Sequence, residues 1–167
     1  MLFSKSSATF APFRDIIITP MNIEQVGKQV LDAAFHVHTV LGPGLLESVY
    51  EAALVMELRK RGLQVEVQKV IPVFYEGTQL EVGFRADLVV EHLVLVELKS
   101  VEAVTPLFKK ITNNYVRLIP LQLGFLINFN VAHLKDGITR VVNGLDGKPF
   151  WSHENASREG TKEAKSE

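Results

Sequence analysis

Apolar residues at Ile23, Val26, Val30, Ala34, Val37 and Leu41 recur at the spacing of one helix face, which predicts a helix opening at Ile23. Asn22 is its candidate N-cap, because a short amide side chain can accept from a free N–H of the first turn. Gly42-Pro43-Gly44 ends that helix: glycine suits the left-handed terminal position, and proline cannot extend the hydrogen-bond ladder. A second helix is expected from about Leu45 to Arg61, stopped by Gly62. Val65–Tyr75 reads as a strand, followed by a turn near Glu76-Gly77-Thr78. Phe84–Val90 and Leu95–Lys99 are rich in β-branched and aliphatic residues and alternate, so they read as two more strands. Pro106 suits the first turn of a helix continuing to about Leu118. Leu121–Asn128 is nearly all apolar, as in a strand buried on both faces, and Gly137–Val142 is a short last strand. The order helix, helix, three strands, helix, strand, strand predicts an α/β sheet flanked by helices.

The middle hairpin carries the chemistry. With Glu91, His92 and Leu93 as a three-residue loop, Asp87 falls opposite Glu97. One face then holds Arg85, Asp87, Val89, Leu95, Glu97 and Lys99, and the other holds Ala86, Leu88, Val90, Val94, Val96 and Leu98. A shift of one residue would destroy that separation. Two carboxylates and an amine on neighbouring strands suit divalent-metal hydrolysis: the oxygens hold a hard cation, and the lysine supports the water or the transition-state charge.

Composition narrows the classes. The 167 residues are 47% hydrophobic, which fits one globular domain with a real core. Cysteine is absent, so disulfide frameworks, thiolate metal sites and cysteine nucleophiles are excluded. That absence is compatible with a reducing compartment, and a cytoplasmic location is expected. No apolar run reaches the roughly 18–20 residues that span a bilayer, so no membrane partner is expected. A net charge of −1 gives no overall cationic field, so a nucleic acid would have to be met by a local patch. Residues 1–20 lack the ordered pattern of a secretory signal and are expected to lie outside the core. Residues 21–150 form the expected domain, and 151–167 a polar tail.

Several motifs stand in order. Gly44-Leu45-Leu46-Glu47-Ser48-Val49-Tyr50 reads G-x-x-E-x-x-Y. Arg85-Ala86-Asp87-Leu88, Val96-Glu97-Leu98-Lys99-Ser100-Val101 and Leu126-Ile127-Asn128-Phe129 follow it. Together they resemble the GxxExxY family, a bacterial group within the PD-(D/E)xK nuclease-like superfamily. The resemblance covers Met21 to Val142. It implies a restriction-endonuclease-like core, with a central mixed sheet of about four strands flanked by helices. It also implies a magnesium-dependent phosphodiesterase ancestry, with Mn²⁺ as a substitute ion and a nucleic acid, DNA above all, as substrate.

By that resemblance Asp87 and Glu97 bind the metal with the Leu98 carbonyl, and Lys99 orients or deprotonates the water. The competing reading of Asp87 is a strand-end ion pair with Arg85 or Lys99; that of Glu97 and Lys99 is a solvated polar pair. A Glu and a Lys among Val94, Leu95, Val96 and Leu98 are costly unless paired or metal-bound, which favours function. Glu47 either completes the metal site or simply favours a helix N-terminus. Tyr50 shares its face and buttresses the site or packs. Tyr115 matches a supporting tyrosine, but the glutamine that many relatives carry four residues earlier is Ile111 here. That departure puts efficient catalysis in doubt. His38 fits the family pattern and reads as a hydrogen-bonded structural residue near a helix end; His36 and His38 point to different sides of the helix and do not make a zinc pair. Lys109, Lys110 and Arg117 are either a phosphate track or a solvated helix face.

The sequence therefore reads as a magnesium-dependent nuclease-like hydrolase. Its rival is a catalytically weakened core serving as an interaction module in a larger assembly. A homodimer is compatible with either.

Overall fold

α1 (Ile23–Leu41) starts where Asn22 and Gln25 each accept the other's backbone N–H at 2.9 Å, satisfying two donors that a helix start leaves free. It ends at Gly42, whose φ of 68° lets its N–H return to the His38 carbonyl at 2.9 Å. There follow α2 (Glu47–Lys60), β1 (Val65–Tyr75), β2 (Thr78–Val90), β3 (Val94–Lys99), α3 (Pro106–Leu118), β4 (Leu123–Asn128), α4 (Leu134–Gly137) and β5 (Ile138–Val142). The structure is a computed structural model that describes residues 21–119 and 121–143. The expected extension (1–20) and tail (151–167) lie outside the described residues, as does the last stretch of the expected domain.

The five strands run in the order β1-β2-β3-β4-β5, with β3 and β4 parallel and the other neighbours antiparallel. This is the mixed sheet flanked by helices that the sequence predicts, with one strand more than the resemblance implies. α2 is shorter than expected, because Leu45 and Leu46 belong to the preceding turn. β5 starts at Ile138 because the four residues before it close the single turn of α4, too short to carry a helical period.

One core cluster joins α1 and α2 to the sheet, with Val26, Val30, Tyr50, Leu54, Leu58, Leu88, Val96, Leu98, Phe125 and Phe129 all buried. The other lies under α3 and holds Ile71, Ala86, Val89, Leu95, Val116, Leu121 and Val141. Every residue of β4 is buried, as a central strand covered on both sides requires. Ala86 corrects the expected face pattern: it packs in the α3 cluster, while Leu88 packs in the other. Alternation holds only along a regular ladder. Between these two residues the β2–β3 ladder ends, and the facing Gln68 has left the extended region with φ 51°. Among the described residues no helix is long and apolar enough to cross a membrane.

α3 sits close on β4 because Gly124 has no side chain. A Cβ there would lie 2.5 Å from Val116 Cγ2 and 3.6 Å from Leu95 Cδ2. Gly124→Ala should destabilise the fold by about 1–3 kcal/mol and lower the thermal midpoint by several degrees in a melting experiment. An unchanged midpoint would mean that α3 lies less tightly on the sheet than described.

Candidate functional site

Three neighbouring strands put the polar residues in one row across the sheet. Gln68 of β1 lies between the Val67–Leu88 and Lys69–Ala86 pairs, facing Asp87 of β2. The β2–β3 ladder pairs Leu88 with Val96, Val89 with Leu95 and Val90 with Val94, and Asp87 and Glu97 are the first residues past its end. The loop Glu91-His92-Leu93 fixes that register. Glu91 and His92 take φ of 52° and 56°, and the Leu93 N–H closes on the Val90 carbonyl at 2.9 Å. Beyond Leu88–Val96 the Asp87 carboxylate, not a main-chain carbonyl, accepts the Leu98 N–H at 2.8 Å.

Lys99 gathers these groups. Its Nζ donates to Glu97 Oε1 at 3.0 Å and to the Leu98 carbonyl at 2.6 Å. It lies 4.0 Å from Asp87 Oδ2 and 3.9 Å from Glu47 Oε1. The Phe108 ring of α3 stands 5.7 Å from the same ammonium. The side chains of Glu97, Lys99 and Asp87 are 9%, 14% and 15% exposed, against 44% for Glu47. Three groups are thus withdrawn from water, and Glu47 stands at their outer edge.

Glu47 reaches that edge because the start of α2 is tied to the end of β3. The Tyr50 hydroxyl donates to the Gly42 carbonyl at 2.6 Å and accepts the Leu45 N–H at 3.1 Å. Ser100 Oγ donates to the Leu45 carbonyl at 2.6 Å. The Tyr50 ring stacks on Phe129 with centroids 4.6 Å apart. Its hydroxyl is therefore committed to the turn before α2 and not to the carboxylates. Tyr115 packs its ring on Phe84 with centroids 4.9 Å apart; burial pushes its hydroxyl up, the Glu97 and Asp87 charges push it the same way, and Lys99 opposes them. Ile111 is half-buried on the same helix.

The electrostatics follow from burial. Desolvation raises the Glu97 carboxyl to about 7, the Asp87 charge adds to the rise, and Lys99 opposes it through its charge and hydrogen bond. Burial pulls Lys99 down, but Glu97, Asp87 and Glu47 outweigh it and hold the amine above its usual value. Glu97 Oε2 is buried with no hydrogen-bond partner, which is rare for a buried polar atom. A hard divalent cation would satisfy that oxygen, and all nearby donors are oxygens of the kind such ions take. Among the described residues no three His, Cys, Asp or Glu side chains are arranged to hold a metal ion. A cation here would rest on two carboxylates and the Leu98 carbonyl, which Lys99 would have to release. With that one side-chain movement, the residues fit the ion.

His38 stands apart, with Nε2 2.8 Å from the Val131 carbonyl. Lys109 and Lys110 line an open groove with Asn113 and Arg140 on the β5 flank of α3. The sequence reading gave no role to two polar residues, Asn128, named there only within a motif, and Gln68. Asn128, buried at the end of β4, exchanges hydrogen bonds with the Val101 N–H and carbonyl at 3.0 and 2.8 Å, clamping the chain after β3. Its signal was an amide ending an otherwise apolar strand. Gln68, which donates to both Glu51 and Asp87, had no signal, because its strand periodicity gives no hint of the left-handed backbone.

A model of the PD-(D/E)XK nuclease superfamily matches residues 24–141, from α1 through most of β5. The chain belongs to this superfamily, whose nucleases generally use divalent metals and whose membership suggests nuclease-like action on nucleic acid. No curated protein and no solved structure matches the chain.

The raised Glu97 carboxyl makes stability pH-dependent. Between its ordinary value of 4.5 and about 7 the unfolded chain loses this proton while the folded protein keeps it. The stabilisation is therefore fully present below 4.5 and is lost as pH rises to about 7. In metal-free buffer, urea unfolding of Glu97→Gln should lack this component, which is on the order of 3 kcal/mol. Parallel pH profiles for the two proteins would contradict the assigned burial.

Proposed function

We propose that this chain is a magnesium-dependent phosphodiester hydrolase acting on DNA, one of the GxxExxY group. The observation that carries the reading is the buried, unpartnered Glu97 Oε2, beside Asp87, with the Lys99 ammonium 3.0 Å from Oε1. Asp87, Glu97 and the Leu98 carbonyl would hold Mg²⁺, with Mn²⁺ as a substitute. When bound, the ion supplies Lewis-acid stabilisation of a phosphoryl oxygen and a more acidic water.

The chain's own residues do the rest. Lys99 is already hydrogen-bonded at the carboxylates, so its ammonium can orient an incoming water and offset charge developing on the phosphorus oxygens. Glu47, at the exposed edge 3.9 Å from Lys99, supports that amine and is reachable through solvent. Tyr50 acts by fixing the turn that delivers Glu47. Tyr115, on α3 with its ring against Phe84, would support the site from that helix. Asp87 is held from two sides, which keeps its carboxylate aimed.

One observation favours the second reading, a weakened core that serves as an interaction module. Ile111 offers no hydrogen bond on the helix that faces the cluster.

Cleavage of plasmid or oligonucleotide DNA in Mg²⁺ should fall at least about a hundredfold in Asp87→Ala and in Lys99→Ala. Equal cleavage by wild type and both variants rejects the hydrolase reading. Calorimetric titration with Mn²⁺ separates the two readings: binding that vanishes in Asp87→Ala supports the enzyme, and no binding up to millimolar ion supports the module.

A further inference from the structure

Gln68 adopts an unusual backbone for its place. It lies inside β1, where the extended region is the norm, yet its φ is 51°. A long unbranched side chain in the left-handed region is disfavoured, and it persists only when something else holds it there. The holding contacts are visible. One amide nitrogen, Nε2, donates both to Glu51 Oε2 on α2 and to Asp87 Oδ1 on β2, the latter at 3.3 Å. Asp87 Oδ2 is taken by the Leu98 N–H at 2.8 Å. Each Asp87 oxygen thus has its own donor, one from the main chain of β3 and one from the Gln68 amide.

The chemistry of the donor matters. A neutral amide with two hydrogens on one nitrogen can bridge two carboxylates without adding charge to a crowded acidic site. A lysine there would compete for the carboxylates as an ion, and an acid would repel both. The amide also couples the strand row to α2, which carries Glu47 at its start and Glu51 one turn later. Partners that orient a metal-ligating carboxylate fix its direction and tune its strength as a ligand.

We propose that Gln68 is a positioning residue: its amide, delivered from a left-handed backbone, holds the Asp87 carboxylate in the direction that a divalent cation needs. The proposal rests on the metal-dependent reading of Asp87 and Glu97. It adds that fold stability is given up at this one backbone position in exchange for an aimed ligand.

The test compares wild type, Gln68→Gly, Gln68→Glu and Asp87→Ala by Mn²⁺ calorimetry, thermal melting and DNA cleavage over a range of Mn²⁺ concentrations. Gln68→Gly removes the amide and relieves the backbone, because glycine accepts positive φ freely. Its melting temperature should be unchanged or higher, while Mn²⁺ affinity falls about 10- to 100-fold. Raising Mn²⁺ should restore its cleavage, and should not restore that of Asp87→Ala. Gln68→Glu, the same size with the donors inverted, should lose affinity at least as far as Gln68→Gly. Mn²⁺ affinity equal to wild type in Gln68→Gly overturns the proposal and leaves the metal reading standing. A melting temperature lowered in step with affinity also overturns it, by making Gln68 a folding residue. A wild type that binds no Mn²⁺ overturns both.

Discussion

A single ammonium among carboxylates is the constraint on which this structure turns. Lys99 Nζ lies within 4.0 Å of oxygens from Glu97, Glu47 and Asp87, and it also takes the Leu98 carbonyl. Two of those acids are largely buried, so their mutual repulsion is poorly screened by water. One cation cannot balance three carboxylates. Burial first, and the Asp87 charge after it, raise the Glu97 carboxyl to about 7, and its Oε2 is left without a partner. Burying like charges beside one another costs stability, and such groupings concentrate where a protein does chemistry. A second positive charge, carried by a metal, would relieve this imbalance.

The scaffold exists to hold that arrangement still. The parallel pairing of β3 with β4 buries the strand that carries Glu97 and Lys99 between the two core clusters. The Tyr50 hydroxyl and Ser100 secure the turn that leads into α2, and Asn128 clamps the chain leaving β3. These contacts are all made by uncharged side chains to main-chain groups. They can be satisfied completely inside a protein, which is why they serve as fixed supports around groups that cannot be.

Much of this was legible in the residues because it depended on local rules. The N-cap at Asn22, the break at Gly42-Pro43-Gly44, and α3 opening at Pro106 follow from backbone chemistry that acts over a few positions. The hairpin register was legible too, since only one pairing separates the polar from the apolar side chains, and the Leu88–Val96, Val89–Leu95 and Val90–Val94 pairs follow it. What escaped depended on contacts between distant segments. Nothing near Gln68 in the chain announces that it meets Glu51 and Asp87, residues 17 and 19 positions away. Ala86 moved to the other core for a related reason: alternation presumes a ladder, and the ladder ends beside it. The Tyr50 hydroxyl turned to a loop that helical spacing alone could not bring near it.

The most direct measurement is anomalous scattering from a crystal soaked in Mn²⁺. One strong peak is expected, bounded by the Asp87 carboxylate, Glu97 Oε2 and the Leu98 carbonyl, with Lys99 turned away from that carbonyl. An empty cluster with Lys99 still bonded to Leu98 at high Mn²⁺, or a peak only elsewhere on the protein, would contradict it.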